Sequence, residues 1–347
     1  MRKVLIRQMD TFKRYLPLIV LLLYIMVVCI FFEIYHFLST PASIEAATKI
    51  VYIHPGMSLR DATKVLMKEG LLHDTNKFIL WAYLTGVAPH IKAGEYQFDT
   101  TMSPHEILNR LVEGATIIHK VTVPEGYNLF QIAKLLSQNG LAEEEKFIER
   151  ALDPQFTASL GVEGSSLEGY LYPDTYYLRW GMNEDEILKI MVNTFHTIYN
   201  SLFSERAKEM GLSQKEVITL ASLIEKETSI PQERALVSAV LQNRLKKGMR
   251  LECDPTVIYG LIHERKTFGG NITKGDLNTK TPYNTYLIYG LPPGPIANPG
   301  KAAIHAALYP AKTNYLYFVS KNDGTHYFSR NWREHNRAVW KYQKAKR

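Results

Sequence analysis

Cysteine is nearly absent from the 347-residue chain: Cys29 and Cys253 are the only two. Cys29 lies inside an apolar run, so no disulfide framework staples the fold and stability must come from an ordinary packed core. Charge of one sign is also scarce once it is located. The formal net charge is +7, but Arg2, Lys3, Arg7, Lys13 and Arg14 against Asp10 place +4 of it in the first 14 residues. The +3 left for the rest of the chain is too little for a clustered basic face, so no nucleic-acid partner is expected. Low-complexity tracts, Pro-rich spacers and charge runs are missing after residue 50, which points to compact folded material. His326 and His335 have no carboxylate or Cys at ligand spacing, so no metal is expected.

What is present begins with an uncharged run from Tyr15 to Phe32, rich in Leu, Ile and Val. With Tyr35, Phe37 and Leu38 beyond Glu33 it is long enough to span a bilayer. It exceeds a usual signal-peptide core and no small-residue cleavage site follows directly, so it reads as an uncleaved anchor. The basic residues before it predict a cytoplasmic tail at 1–14, a transmembrane helix at 15–38 and a linker at 39–48. Everything beyond about residue 40 is then extracytoplasmic.

Two segments of the exported part echo each other at an offset of 70. Val51-Tyr-Ile-His-Pro-Gly56-Met-Ser-Leu59 is answered by Val121-Thr-Val-Pro-Glu-Gly126-Tyr-Asn-Leu129, and Gly70-Leu71 by Gly140-Leu141. Each copy reads as a strand, a turn at the glycine and a helix stopped by a second glycine. A strand at Ala93–Phe98 and a helix opened by Ser103-Pro-His-Glu106 complete the first unit. Such modules resemble LysM-like units, which would bind glycans containing N-acetylglucosamine; equally, they are small scaffolds that space the main domain from the membrane. The expected architecture is α+β: a LysM-like module at 49–120, then a mixed α/β domain at 121–347 whose first 31 residues, 121–151, are the second copy.

Helices are expected from about Glu184 to Ser201, Ser213 to Thr228 and Pro231 to Lys247. Ser213 and Glu216 form a capping box, and Val217, Leu220, Ala221, Leu223 and Ile224 share one broad side of the second helix. Glu225 and Glu227 fall on opposite flanks of that side. A carboxyl at such an edge is half desolvated, which raises its pKa and suits it to general acid chemistry, although solvated glutamates have the same spacing. The run Thr281–Gly300, dense in Pro, Gly, Asn and Tyr, cannot be a helix or a central strand, and long irregular loops in compact domains are usually functional. Two strands flank Asn322-Asp-Gly324 as a hairpin, and a final helix carries His335.

Leu-Ala-Ser-Leu-Ile-Glu225-Lys-Glu-Thr, Asn243-Arg-Leu, Gly248-Met-Arg-Leu, Asp254-Pro-Thr-Val-Ile-Tyr-Gly, Pro-Tyr283-Asn-Thr-Tyr, Gly290-Leu-Pro-Pro-Gly-Pro-Ile and Asn298-Pro-Gly300 resemble, in one order, the MltG (YceG-like) family of endolytic murein transglycosylases. Leu-Glu168-Gly and Tyr-Pro-Asp174-Thr fit the same resemblance, which extends along essentially the whole exported region. Cys253 departs from it, the family having Thr or Ser there. The resemblance implies a lytic transglycosylase that cuts nascent peptidoglycan strands between N-acetylmuramic acid and N-acetylglucosamine and leaves a 1,6-anhydro end. It assigns the acid to Glu225, the first glutamate of its motif, and leaves Asp254, Tyr259, Tyr283, Asn284 and Tyr286 as candidate glycan-holding residues. It implies no cofactor, and cell-wall synthases (penicillin-binding proteins) as partners. A hydrolytic muramidase with Asp254 activating water, and a non-catalytic wall-binding scaffold, are the alternatives.

Overall fold

The computed structural model describes residues 2–264 and 270–345, with side-chain surroundings from residue 15 onward. The basic side chains used in the orientation argument therefore lie outside the described ones. The chain divides into two compact units, Met1–His119 with Arg179–Gly181, and Lys120–Leu178 with Met182–Arg347.

The first unit opens with α1 (Arg2–Ser39), whose span Tyr15–Ser39 has a mean hydropathy of 2.8 and is long and apolar enough to cross a membrane. Its last turns do more than that. Ile34, Phe37 and Leu38 are buried in the core of the module that follows, and Lys77 pairs with Glu33 at 2.9 Å. The segment after α1 is tied down as well, since Ser43 N–H donates to the Thr100 carbonyl at 3.3 Å and Ala47 N–H to the Thr100 hydroxyl at 2.9 Å. The module runs β1 (Thr48–Ile53), α2 (Leu59–Lys68), α3 (Thr75–Leu84), β2 (Gly94–Asp99) and α4 (Pro104–Glu113). β1 and β2 pair antiparallel, Thr48 opposite Asp99 through Ile53 opposite Gly94. Alternation sends Val51, Ile53, Tyr96 and Phe98 into the core, where α2, α3 and α4 add Leu66, Phe78, Ile107 and Leu111.

The second unit begins with the same construction: β3 (Ile118–Thr122), α5 (Leu129–Gln138) and α6 (Glu144–Ala151). The offset of 70 is visible in the backbone. Gly56 and Gly126 turn at φ +79° and +77°, and Ser58 and Asn128 cap α2 and α5 by accepting from the third residue on. After α7 (Pro154–Ser159), β4 (Thr175–Arg179) pairs with β3. α8 (Glu184–Leu202) and α9 (Ser204–Glu209) lead to α10 (Gln214–Glu227), followed by α11 (Pro231–Lys246), α12 (Asp254–His263), α13 (Lys274–Leu277) and α14 (Lys301–Leu308). The hairpin β5 (Tyr317–Ser320) and β6 (His326–Ser329), with Asn322 left-handed at φ 64° in its turn, precedes α15 (Trp332–Val339).

α10 is the axis of this unit. The Ser213–Glu216 capping box starts it, and every residue from Val217 to Ile224 is buried, Thr219 and Ser222 included. Its buried surface thus exceeds the single apolar side expected from the sequence. The polar pair is satisfied within the core: the Ser222 hydroxyl donates to the Thr219 carbonyl at 2.7 Å and accepts from Ile296 N–H at 3.1 Å. Close approach is enforced at Gly169, left-handed at φ +89°, where a Cβ would overlap the Pro295 ring and crowd Ile218. α12 was not foreseen. Pro255 sits in its first turn, where a missing N–H costs nothing.

Candidate active site

The end of α10 sends its two glutamates to different surroundings. Glu225 is walled in, with 7% of its side chain exposed. One carboxylate oxygen accepts from Gly300 N–H, the N-cap of α14, at 3.0 Å; the other lies 3.5 Å from an Arg234 guanidinium nitrogen. The turn at Gly126 closes the remaining side, since a Cβ there would touch Glu225 Cγ at 3.4 Å and Gly126 O accepts from Lys226 Nζ at 3.2 Å. Burial pushes the Glu225 carboxyl up and the nearby Glu125 charge adds to this, while the Gly300 bond and Arg234 pull it down.

Glu227 faces a cavity of about 380 Å³, shared with Arg244, Glu252, Asp254, Tyr286, His326 and His335. Burial pushes its carboxyl up to about 7; the Asp254 charge acts in the same sense, and the Cys253 thiol and Arg244 oppose it. Cys253, 2% exposed, donates its thiol to the Leu251 carbonyl at 3.7 Å next to Glu227, and burial, with the Glu227 charge adding to it, raises that thiol well above the usual range. A carboxyl with a pKa near 7 holds a proton for part of the time at neutral pH and can give it to a leaving oxygen.

Asp254 opens α12 and accepts from the Tyr286 phenol at 2.6 Å. Glu252 next to it is left-handed at φ 53° and held by Arg244, whose guanidinium also donates to the carbonyls of Arg250, Leu251 and Leu316 at 3.1, 3.0 and 2.7 Å. One buried arginine thus fixes the backbone leading into α12. On the hairpin side, His326 is clamped by Glu233 of α11. Its ring Nδ1 lies 2.7 Å from one carboxylate oxygen and its backbone N–H donates to the other at 2.9 Å.

Of the residues picked from sequence, Asp254 and Tyr286 share the cavity with Glu227, whereas Glu225 does not line it. Tyr259, Tyr283 and Asn284 are in the core, at 2%, 8% and 0% exposure, which leaves them no face for a sugar ring. Tyr259 packs edge-on against Tyr283, their centroids 4.8 Å apart. Asn284 spends its amide on the backbone of the loop, donating to Leu277 O and Thr279 O and accepting from Tyr286 N–H, so it shapes the loop that presents Tyr286. Glu168 is structural in the same way. Its carboxyl, pushed up to about 8 by burial, accepts from Leu129 N–H and the Asn298 amide, joining three separate motifs. Arg244, Glu233 and His326 were missed as site residues; the first was visible inside Asn-Arg-Leu, but the pairing of Glu233 with His326 spans 93 positions and has no local signature.

The chain is similar to known proteins along most of its length. The YceG-like family model matches residues 51–341. The chain is 32% identical to the endolytic murein transglycosylase of Bacillus subtilis over 89% of both chains. It is 29% identical to that of Streptococcus pneumoniae over 91% of this chain and 63% of the pneumococcal one. A crystal structure of a YceG-like protein from Listeria monocytogenes superposes with a TM-score of 0.58 at 32% identity, covering 84% of this chain and 99% of that one.

Proposed function

Because the chain belongs to the YceG-like family, we propose that it is a membrane-anchored lytic transglycosylase that cuts peptidoglycan strands internally, with Glu227 as its acid. The observation that carries the residue assignment is the contrast at the end of α10. Glu227 opens on a cavity with its pKa raised to about 7, whereas both oxygens of Glu225 are occupied, by Gly300 N–H and by Arg234. The geometry therefore favours the second glutamate of the motif over the first, and supports Glu225 as the residue that locks α10 to α14.

In this reading Glu227, protonated, gives its proton to the glycosidic oxygen as the bond to C1 of N-acetylmuramic acid breaks. The C6 hydroxyl of the same sugar closes on C1 and loses its proton, leaving a 1,6-anhydro ring. The nucleophile belongs to the substrate, so no activated water is needed, and the carboxylate left on Glu227 can receive the C6 proton. Burial, with the charge of Asp254 acting in the same sense, lets the Glu227 carboxyl hold a proton near neutral pH, and Asp254 is itself tied to the Tyr286 phenol. In this reading the apolar helix is the anchor and the catalytic domain lies outside the membrane, where newly made strands emerge from the synthases, with the repeated modules as spacers or glycan contacts.

The test is digestion of purified sacculi by the full-length protein in detergent, with the new chain ends identified by mass. Anhydro ends that vanish in E227Q are expected. Reducing ends would establish hydrolysis instead, and an E227Q protein of normal activity would remove Glu227 from the mechanism.

A further inference from the structure

The Glu227 cavity contains a second group able to handle a proton. His326, at the start of β6, lines the cavity, and Glu233 holds its ring from behind. An ionised carboxylate only accepts, so the Nδ1 facing Glu233 carries the hydrogen and Nε2 carries the lone pair. Among the described residues Nε2 has no hydrogen-bond partner, while Nδ1 and the backbone N–H are both committed to Glu233. Glu233 itself is 8% exposed, and its remaining described contact is the Thr228 hydroxyl at 3.4 Å. A carboxylate buried to this degree is an expensive way to hold a hairpin, since an apolar contact would do so without desolvating a charge. It is well suited to holding an imidazole in one tautomer and to stabilising the imidazolium that forms when Nε2 takes a proton.

We infer that His326 is the base that removes the C6 hydroxyl proton as that oxygen attacks C1, with Glu233 as its positioning residue; this rests on the transglycosylase reading above. The step balances. The O6–H electron pair forms the O6–C1 bond, the O6 proton passes to His326 Nε2, the C1–O4 pair leaves with the departing sugar, and Glu227 supplies the proton to O4. The enzyme is left with a Glu227 carboxylate and a His326 imidazolium, and one proton passed between them through water restores the starting state. With two groups, protonation of the leaving oxygen and deprotonation of the attacking one can occur together on separate side chains, each placed for its own oxygen. The charged and titratable groups sharing the cavity with His326 are Glu227, Arg244, Glu252, Asp254, Tyr286 and His335. None of these is bonded to its ring among the described residues; that bond comes from Glu233, which does not line the cavity.

The experiment compares wild type, H326Q, H326A and E233Q as full-length proteins in detergent on soluble glycan strands, measuring kcat, apparent KM, chain ends and thermal melting. A general base contributes about 10²–10⁴-fold, so H326Q is expected to lose at least about a hundredfold in kcat with little change in KM. Added imidazole is expected to restore part of the H326A activity, which no repair of packing would do. E233Q keeps an acceptor for Nδ1 but removes the charge, so it should lower kcat in the same direction by less. A folded H326Q with the wild-type kcat, or with raised KM alone, overturns the inference. Should H326Q melt early, a folded E233Q with undiminished kcat overturns it equally. Chain ends separate the two levels: reducing ends from the wild type defeat the transglycosylase reading and this base with it, whereas anhydro ends from a fully active H326Q defeat the base alone.

Discussion

Replacing Glu227 by Gln should stabilise the protein, and only at neutral to alkaline pH. Burial raises the Glu227 carboxyl from 4.5 to about 7, a difference of about 2.5 pH units, and each unit corresponds to about 1.4 kcal/mol. Below pH 4.5 the group is protonated in both the folded and the unfolded chain and contributes no pH dependence. Between about 4.5 and 7 the unfolded chain releases its proton while the folded chain keeps it, so unfolding becomes progressively easier. Above about 7 both forms are ionised and the penalty is complete, at a ceiling between about 3 and 4 kcal/mol. The opening of Glu227 onto the cavity lowers this, leaving about 2 kcal/mol. Gln has no such titration. The melting temperature of E227Q relative to wild type should therefore rise from pH 5 to pH 8 by roughly 4–8 °C, taking roughly 2–4 °C per kcal/mol for a domain of this size. Glu168, raised to about 8 by its own burial, titrates identically in both proteins and cancels from the difference. Thermal denaturation of both proteins at several pH values, in one detergent and at one ionic strength, measures it. A difference that stays flat with pH, or a less stable E227Q at pH 8, would refute the claim that this carboxyl is held against its own ionisation. The gain from Gln would also be an instance of active-site strain traded against stability.

Three further outcomes follow from the same geometry. E225Q keeps an acceptor for Gly300 N–H and loses only the long contact to Arg234 at 3.5 Å, so its turnover should fall by no more than about tenfold; an inactive E225Q beside an active E227Q would return the acid role to Glu225. N284A leaves three backbone partners of a fully buried amide unpaired, which should cost about 3 kcal/mol of stability; a raised apparent KM with unchanged melting would instead put Asn284 on the glycan. C253S sets a stronger donor against Glu227, which favours the carboxylate, so the alkaline limb of the pH–activity profile should move to lower pH; an unmoved or raised limb would deny the thiol its contact with Glu227.

Local signals made much of the scaffold readable. The capping box at Ser213 starts α10, Pro231 opens α11, and the 70-residue echo reappears as paired left-handed glycines and matched N-caps. These features are short-range, and a sequence window contains everything that determines them. The tyrosines were harder, because composition does not distinguish a phenol facing sugar from one facing the core. Tyr283 and Tyr286 stand three apart in one loop, yet Tyr283 is 8% exposed against Tyr259 while Tyr286 reaches Asp254 on the cavity. What separates them is the anchoring of Asn284 between them, and that depends on carbonyls at 277 and 279.

The choice between Glu225 and Glu227 shows where helix periodicity stops being informative. Two positions along an α-helix are about 200° apart, so the pair must straddle the apolar side, and periodicity assigns each an edge but not its neighbours. The edge at Glu225 is closed by a backbone N–H from residue 300 and a guanidinium from residue 234, while the edge at Glu227 meets residues 253, 254 and 286 and the hairpin carrying His326. Each of those partners arrives from a different stretch of chain. A raised pKa arises at both edges, so desolvation alone does not choose the acid; access to a cavity does. On the proposed reading the acid is specified by what the neighbouring segments leave uncovered, which is why E225Q and E227Q, identical as chemical changes and two residues apart, should differ so widely in what they cost catalysis.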